Sequence, residues 1–247
     1  MKTVIELPEM MRFSYQRKSY RIHSWDLQEN PFLVFWARAQ SEPELLVKEL
    51  VEGDLDPALK EEVGVCLQRG PTDILSGTMS NLVLRHIAVS LWGFAVPDRI
   101  ALGIIQKHSP EGVVEIGAGS GYWAKMLRIL RVPVAAYDSR TGTYQHGFKF
   151  GSHSEVEIAT HEKALAGGAH REKTLLLSWP DYDESWPNET LSLYKGSTLV
   201  YIGEWGGCTG DRKFHETLDQ GWETVKEYQV PTWWGLHESL YVLKRKT

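Results

Sequence analysis

Short aliphatic runs alternate with helical patterns over the C-terminal part of the chain. Five runs are continuous rather than alternating in polarity, which is typical of strands buried on both faces of a mainly parallel sheet. They occupy residues 112–116, 133–138, 155–160, 173–179 and 197–204. A helical pattern follows at 210–222, and two strand patterns, 223–231 and 238–246, come last with no helix between them. This order predicts an α/β fold whose mostly parallel sheet ends in an antiparallel C-terminal hairpin.

The N-terminal part has a different pattern. Residues 42–66 place apolar side chains at near-helical spacing on both sides of a turn that contains Gly, Asp and Pro, which predicts two short amphipathic helices. We therefore predict a helical N-terminal cap over residues 1–75 and a second domain over residues 76–247. Residues 96–109 predict a helix with Pro97 near its first turn.

Composition narrows the classes of function. The chain has 247 residues and a net charge of -5, so it lacks the basic excess that binding to a phosphate backbone usually requires. No apolar stretch approaches the ~18 residues of a membrane span, and the N-terminus lacks the apolar core of a signal peptide, so we expect a cytoplasmic protein with no membrane partner. Cys66 and Cys208 lie far apart without CxxC spacing, which favours reduced thiols, and we expect no metal.

A glycine loop in the segment VVEIGAGSGYW lies between a predicted strand and a predicted helix. Its glycines are Gly117, Gly119 and Gly121. Such a loop allows a tight turn and the close approach of a ligand to the backbone, and two common ligands are a dinucleotide pyrophosphate and S-adenosylmethionine. The dinucleotide pattern GxGxxG needs its third glycine at position 122, where this chain has Tyr122. A nicotinamide-dependent oxidoreductase is therefore disfavoured.

The same segment resembles motif I of the class I S-adenosylmethionine-dependent methyltransferases, in which two aliphatic residues, an acid and a further aliphatic residue precede GxGxG. The resemblance implies that the loop, with Ala118 and Tyr122, binds the cofactor, and that Glu115 orders the loop or meets the cofactor's amino group. Asp138 follows Gly121 by 17 residues and ends the next strand pattern, where this family uses an acid to hold the ribose hydroxyls. The resemblance to this family further implies a Rossmann-like seven-stranded sheet of order 3-2-1-4-5-7-6.

Further stretches are similar to a narrower, functionally uncharacterised group of these enzymes. They read WGFAVPDRIAL, AAYDSR, TLLLSWPDYDESW and LVYIGEWGGCTGDRKFHETL, and with the glycine loop they span about residues 91–222. The resemblance implies the fold and S-adenosylmethionine as cofactor, but not the acceptor. That group more often has Trp-Pro-Pro-Tyr after the fourth strand, whereas Asp181 stands at the second proline here. The segment Phe94 to Pro97 could close over the methionine end of the cofactor or simply form the start of a helix.

Candidate acceptor residues follow the fourth and fifth strands, because ligands of open α/β sheets gather at the carboxyl ends of strands. We place Ser178 and Trp179 with the cofactor-binding residues. Trp179 and Tyr182 could stack on the acceptor or enclose the sulfonium, or could only pack at the strand end. Asp181 and Glu204 are candidate general bases, with loop structure as the alternative for each.

Other groups could take part in the chemistry. His161, His215 and His237 could take a proton, although lone histidines are mostly structural. Asp181, Asp183 and Glu184 could hold a divalent ion, although a solvated charge run is the simpler interpretation.

The segment SWPDY also partly resembles the loop of amino methyltransferases that act on adenine or glutamine amides. Trp179 occupies the polar position of that loop, and an indole can only donate a hydrogen bond, which disfavours this chemistry.

The sequence as a whole predicts an enzyme that transfers a methyl group from S-adenosylmethionine to a small-molecule or peptide or protein acceptor by direct displacement. Two alternatives stay open. One is a noncatalytic module of the same fold that binds the cofactor or a partner, and the other is an amino methyltransferase that acts on nucleic acid. The sequence predicts no oligomeric state.

Overall fold

The computed structural model describes residues 10–15, 18–23, 28–52, 77–139 and 152–247. The chain divides into two compact units, Met1–Ala88 and Val89–Thr247. The second helix predicted within 42–66, the predicted boundary near residue 75 and Cys66 all lie outside the described residues.

The described part of the first unit includes a hairpin followed by helices. Strands β1 (Met10–Tyr15) and β2 (Lys18–His23) pair antiparallel. Helices α1 (Pro31–Ser41) and α2 (Pro43–Glu52) follow. Helix α1 begins where the Asn30 side chain accepts a hydrogen bond from the Leu33 N–H at 3.2 Å. Helix α2 corresponds to the first of the two predicted helices, whereas the predicted helical cap did not include the hairpin, whose sequences MMRFSY and KSYRIH alternate in polarity as paired strands do.

Two helices precede the sheet. Helix α3 (Gly77–Leu91) crosses the division between the units, and α4 (Arg99–His108) ends where its pattern predicted. The Asp98 side chain begins α4 by accepting from the Ala101 N–H at 2.8 Å, and it also accepts from the Tyr228 hydroxyl at 2.5 Å. Pro97 therefore precedes the cap residue, near the first turn of the helix as predicted.

A seven-stranded sheet forms the second unit. Its strands are β3 (Val113–Ile116), β4 (Val134–Asp138), β5 (Glu157–Ile158), β6 (Thr174–Ser178), β7 (Thr198–Gly203), β8 (Trp222–Tyr228) and β9 (Ser239–Arg245). The spatial order is β5-β4-β3-β6-β7-β9-β8, in which the first five strands are parallel and β9 runs antiparallel to both of its neighbours. The predicted Rossmann-like order and the antiparallel terminal hairpin are confirmed.

Among the described residues that follow β3, the helices are α5 (Tyr122–Ile129), α6 (His161–Ala164), α7 (Trp186–Leu193) and α8 (Arg212–Gly221), with a 3₁₀ turn at Ala166–Gly168 after α6. None of the helices that the structure describes is long and apolar enough to cross a membrane.

Burial explains which strand predictions were accurate. Every residue of β3 and β7 is buried, as the continuous aliphatic runs predicted. Strand β5 differs, because only two residues of the predicted run 155–160 pair and both are exposed, Ile158 by 66%. It is an edge strand, so an aliphatic run there does not need two covered faces. Trp222 also differs from the prediction, because it begins β8 rather than ending α8.

Candidate functional site

A cleft of about 560 Å³ lies at the carboxyl ends of three parallel strands. Glu115 of β3, Asp138 at the end of β4 and Ser178 at the end of β6 all line it. The glycine loop forms part of the same lining, as does the segment from Trp92 to Ala95. The topology therefore brings most of the predicted cofactor residues to one cavity.

The backbone of the glycine loop is ordered by the protein itself. The N–H groups of Gly117 and Ala118 both donate to the Tyr137 carbonyl oxygen, at 2.9 and 3.0 Å. The Gly119 N–H donates to Asp138 Oδ2 at 2.7 Å. These N–H groups are already used, so this part of the loop offers few backbone donors for a phosphate.

Two of the glycines are required by packing within the protein. Gly117 has φ of +74°, and a Cβ there would lie 2.8 Å from Cη2 of Trp186. Gly121 has φ of +72°, and a Cβ there would lie 2.7 Å from Cγ2 of Val156. Both positions need glycine because a side chain would be strained and would collide with its neighbours. The pattern GxGxG predicted a tight turn and the close approach of a ligand, and the contacts with Trp186 and Val156 are a further reason for glycine that the spacing does not reveal.

Glu115 is the least satisfied polar group of the cleft. Its side chain is 1% exposed, and although the Ala124 backbone N–H at the first turn of α5 donates to the carboxylate, Oε2 has no hydrogen-bond partner. Burial raises the pKa of Glu115 to about 8, an effect that the positive charge of Arg128 partly opposes. A buried carboxyl oxygen without a partner is costly, and a ligand that donates a hydrogen bond would relieve that cost.

Asp138 lies beside it at the end of β4. Its side chain is 5% exposed, lines the cleft and accepts the hydrogen bond from Gly119. This bond fixes the carboxylate relative to the loop.

Another part of the lining is an aromatic wall formed by Phe94 and Trp179. The rings of Phe94 and Trp179 stack with centroids 5.4 Å apart and planes 14° apart. Trp179 has a left-handed backbone with φ of +50°, and its Nε1 donates to Oε2 of the buried Glu238. Its backbone N–H donates to the Ile202 carbonyl at 2.8 Å. The indole ring is therefore held on one face by a ring and at its nitrogen by a carboxylate.

Asp181 follows Trp179 by two residues and also lines the cleft. Its Oδ2 accepts from Nε1 of Trp186 at 3.0 Å, and both residues line the cleft. Burial raises the pKa of Asp181, and the hydrogen bond from Trp186 opposes that rise. Asp181 thus has a position and an electrostatic environment suited to accepting a proton.

The other two predicted catalytic residues are not among the residues that line the cleft. Tyr182 is 56% exposed. Glu204 is buried after β7, where its Oε1 accepts from the His237 N–H at 2.7 Å and its Oε2 accepts from the Cys208 N–H at 3.2 Å. Its carboxylate holds two segments of backbone together, which is a structural use for the group.

The histidines are also outside the described lining. His161 contacts Glu189 at 3.1 Å, and His215 has its Nε2 2.6 Å from the Thr209 carbonyl. His161, Glu162 and Glu189 could together supply three ligand atoms to a metal ion, but both glutamates are exposed and an ion pair explains the cluster. Asp183 and Glu184, considered above as metal ligands with Asp181, are exposed.

Several residues of the site were not found from the sequence. Trp123 and Trp186 line the cleft, and Glu238 supports Trp179 from the start of the last strand pattern. The sequence gives no signal for these contacts, because each depends on pairing between distant segments, such as Trp179 with Glu238.

No family model and no curated protein matches the chain. Among solved structures, the chain is similar to the Burkholderia thailandensis 1,6-didemethyltoxoflavin-N1-methyltransferase with bound 1,6-didemethyltoxoflavin and S-adenosylhomocysteine. The identity is 13%, over 60% of this chain and 78% of that one, with a TM-score of 0.42.

Two further similarities extend over more of the chain. Magnesium protoporphyrin IX methyltransferase from Synechocystis PCC 6803, with bound S-adenosylhomocysteine, is 11% identical over 83% of this chain and 99% of that one, with a TM-score of 0.43. An S-adenosylmethionine-dependent methyltransferase of Leishmania major is 16% identical over 82% of this chain and 91% of that one, with a TM-score of 0.35.

Proposed function

We propose that this protein binds S-adenosylmethionine in the cleft and transfers its methyl group to an acceptor that enters beside the aromatic wall. The observation that carries the proposal is the unpaired, buried Oε2 of Glu115 at the glycine loop. The cofactor's amino group is a charged donor that would satisfy this oxygen and favour its ionised form.

The remaining residues of the cleft fit the other parts of the cofactor. Asp138 offers a carboxylate to the ribose hydroxyls, and its bond to Gly119 sets its orientation before the ligand arrives. The stacked rings of Phe94 and Trp179 offer faces that attract a sulfonium. When bound, the cofactor supplies an activated methyl group, so the protein's main tasks are to orient the acceptor and to exclude water.

A dinucleotide is the weaker candidate for this cleft. Tyr122 stands where the third glycine of the dinucleotide pattern would be, and its side chain is 2% exposed and packed edge-on against His153. The loop N–H groups of Gly117 and Ala118 are bonded to Tyr137. Pyrophosphate would meet the carboxylate of Asp138 instead of free donors, and it brings no hydrogen-bond donor to Oε2 of Glu115, which is unfavourable for this ligand.

The acceptor is proposed to be a small molecule or a segment of a peptide or protein. Nucleic acid is a less well supported acceptor, because the net charge of the chain is -5. In addition, Trp179 offers only a donor, Nε1, which is bonded to Glu238, where an amino methyltransferase would need an acceptor group. A cytoplasmic location remains part of the proposal on the sequence features given above. A noncatalytic module with the same cleft is the alternative that binding experiments alone would not exclude.

Two measurements test the proposal. Titration calorimetry with S-adenosylmethionine, S-adenosylhomocysteine and NADH should give binding of the first two and no binding of NADH. Transfer of label from methyl-labelled S-adenosylmethionine into fractionated cell extract should then label one fraction. Binding without labelling would favour the noncatalytic module, and NADH binding without S-adenosylhomocysteine binding would refute the proposal.

Glu115→Gln provides the site-specific comparison, with Glu216→Gln as its matched control. Glu216 is an exposed glutamate of α8 that pairs with Arg212 at 2.6 Å. We expect S-adenosylhomocysteine to bind Glu115→Gln about tenfold or more weakly and Glu216→Gln as it binds the parent, because only the first variant loses a charge-assisted contact with the ligand.

A further inference from the structure

We infer that the methyl acceptor is an amine carried on or beside a flat ring, and that Asp181 binds its nitrogen and receives its proton. The inference rests on the proposed function and assigns the acceptor class. It follows from the aromatic wall, the position of Asp181 and the charges that line the cleft.

The aromatic wall is fixed before any ligand binds. Trp179 has a left-handed backbone, its ring stacks on Phe94 at 5.4 Å and its Nε1 is bonded to Glu238. A rigid ring pair loses little conformational entropy when a flat group packs against it. A left-handed backbone at a residue other than glycine persists only where surrounding contacts enforce it, and such residues are common at ligand sites.

The charges of the cleft are of one sign. The carboxylates Glu115, Asp138 and Asp181 line it, and no lysine, arginine or histidine does so among the residues that the structure describes. The proposed cofactor uses the first two through its amino group and its ribose. Asp181 is left as the carboxylate available to the acceptor.

Asp181 is held in place by Trp186 and keeps room for a further donor. Its Oδ2 accepts from Trp186 Nε1 at 3.0 Å, and Trp186 packs against the first glycine of the loop. The backbone N–H of Asp181 also donates to this carboxylate, and two carboxylate oxygens together can accept more than these two hydrogen bonds. A donor group on the acceptor, such as an ammonium N–H, would supply a further one.

An amine meets these conditions better than an acid or a phosphate. Its ammonium form is attracted both by the carboxylate and by the faces of Trp179 and Phe94. An anionic acceptor would enter beside the carboxylate of Asp181, and the described lining has no lysine, arginine or histidine to pair with it.

The chemistry balances in two steps. The ammonium first gives one N–H proton to the Asp181 carboxylate, which leaves a neutral nitrogen with a lone pair. The lone pair then forms the new bond to the methyl carbon while the sulfur–carbon bond breaks and its electron pair stays on sulfur, so the sulfonium becomes a thioether and the product is an N-methylammonium. Asp181 afterwards releases its proton to water. Burial that raises the pKa of Asp181 makes the first transfer less unfavourable.

The test uses two probes with the same ring and opposite charge, tryptamine and indole-3-propionate. Each is titrated by calorimetry into the full-length protein saturated with S-adenosylhomocysteine, after binding of that compound has been measured by itself. We expect tryptamine to bind about tenfold or more tightly than indole-3-propionate. Asp181→Asn should reduce this preference about fivefold or more, and Asp183→Asn, an exposed aspartate of the same loop, should leave it unchanged.

The remaining outcomes overturn the inference. They are equal or tighter binding of indole-3-propionate, the absence of binding by both probes at millimolar concentration, and a preference that survives in Asp181→Asn. Failure of S-adenosylhomocysteine to bind is a separate result that overturns the proposed function itself.

Discussion

Replacing Glu115 with Gln should stabilise the ligand-free protein at neutral pH. Burial raises the pKa of Glu115 from an ordinary value of 4.5 to about 8 in the folded chain. Between these two values the folded state holds a proton that the unfolded state has lost, so the free energy of unfolding falls as pH rises from about 4.5 to about 8 and is level above that range. At 1.36 kcal/mol per unit, the loss reaches roughly 3 kcal/mol at pH 7.

The glutamine side chain keeps the shape of the protonated acid and has no proton to lose. Urea unfolding of both proteins at pH 5 and pH 7 should therefore show a stability difference in favour of Glu115→Gln that widens by roughly 3 kcal/mol between the two pH values. The control, Glu216→Gln, removes an exposed carboxylate and should show no such widening. If Glu115→Gln is less stable than the parent at pH 7, or if the difference is the same at both pH values, the account of Glu115 is wrong.

The same carboxyl group should make cofactor binding release a proton. With a pKa of about 8, roughly nine in ten Glu115 side chains are protonated at pH 7 in the free protein, whereas an ammonium placed at Oε2 favours the ionised form. Calorimetry with S-adenosylhomocysteine in two buffers of different ionisation enthalpy should give the release of close to one proton, and Glu115→Gln should abolish it. Equal apparent enthalpies in the two buffers would contradict the predicted contact.

Three other substitutions test separate parts of the structure. Gly117→Ala should destabilise the protein by roughly 1 to 3 kcal/mol in urea unfolding, because it adds backbone strain at φ of +74° and a contact at 2.8 Å with Trp186. Its control is Gly206→Ala, where φ is +70° and a Cβ would have nothing within 4 Å, so this variant should show the strain alone. Equal losses of stability in the two variants would refute the role of Trp186. Asp98→Ala should lower the free energy of unfolding by about 1 to 3 kcal/mol, because it removes both the cap of α4 and the acceptor of the Tyr228 hydroxyl. Tyr228→Phe removes only the second contact, so a larger loss in Asp98→Ala would separate the contribution of the cap from that of the hydroxyl. Asp138→Asn should weaken S-adenosylhomocysteine binding by roughly 1 to 3 kcal/mol in calorimetry, and unchanged affinity in a folded variant would contradict its assignment to the ribose.

The sheet could be predicted because its central strands are buried on both faces. Strand β7 is buried at all six positions and is aliphatic or aromatic at four consecutive ones, Leu199–Ile202, so the run is visible in the sequence. Edge strands and short hairpins give weaker sequence patterns. Strand β5 pairs through only two exposed residues, and the hairpin of β1 and β2 lies in a segment where charged and aromatic residues alternate. A period-two signal in short strands is easily missed beside stronger helical patterns.

The candidate site could be predicted where its residues belong to one strand–turn–helix unit or follow a predicted strand end, as Ser178, Trp179 and Asp181 do. Glu115 and the glycine loop are within one strand–turn–helix unit, and Asp138 ends the adjacent strand, so spacing was sufficient to bring them together. The aromatic wall depends on contacts between distant segments. Trp179 and Glu238 are 59 residues apart, and no local pattern indicates that one would hold the other.

The choice of ligand in this cleft is made by carboxylates rather than by backbone donors. A phosphate-binding loop keeps its N–H groups for the ligand, whereas here the donors of Gly117, Ala118 and Gly119 are bonded to Tyr137 and Asp138. The glycines therefore serve to fold the loop tightly against Trp186 and Val156, and the folded loop leaves the acids lining the cleft. A ligand that binds there must bring positive charge and hydrogen-bond donors to Glu115, and a sulfonium amino acid does so while a pyrophosphate does not.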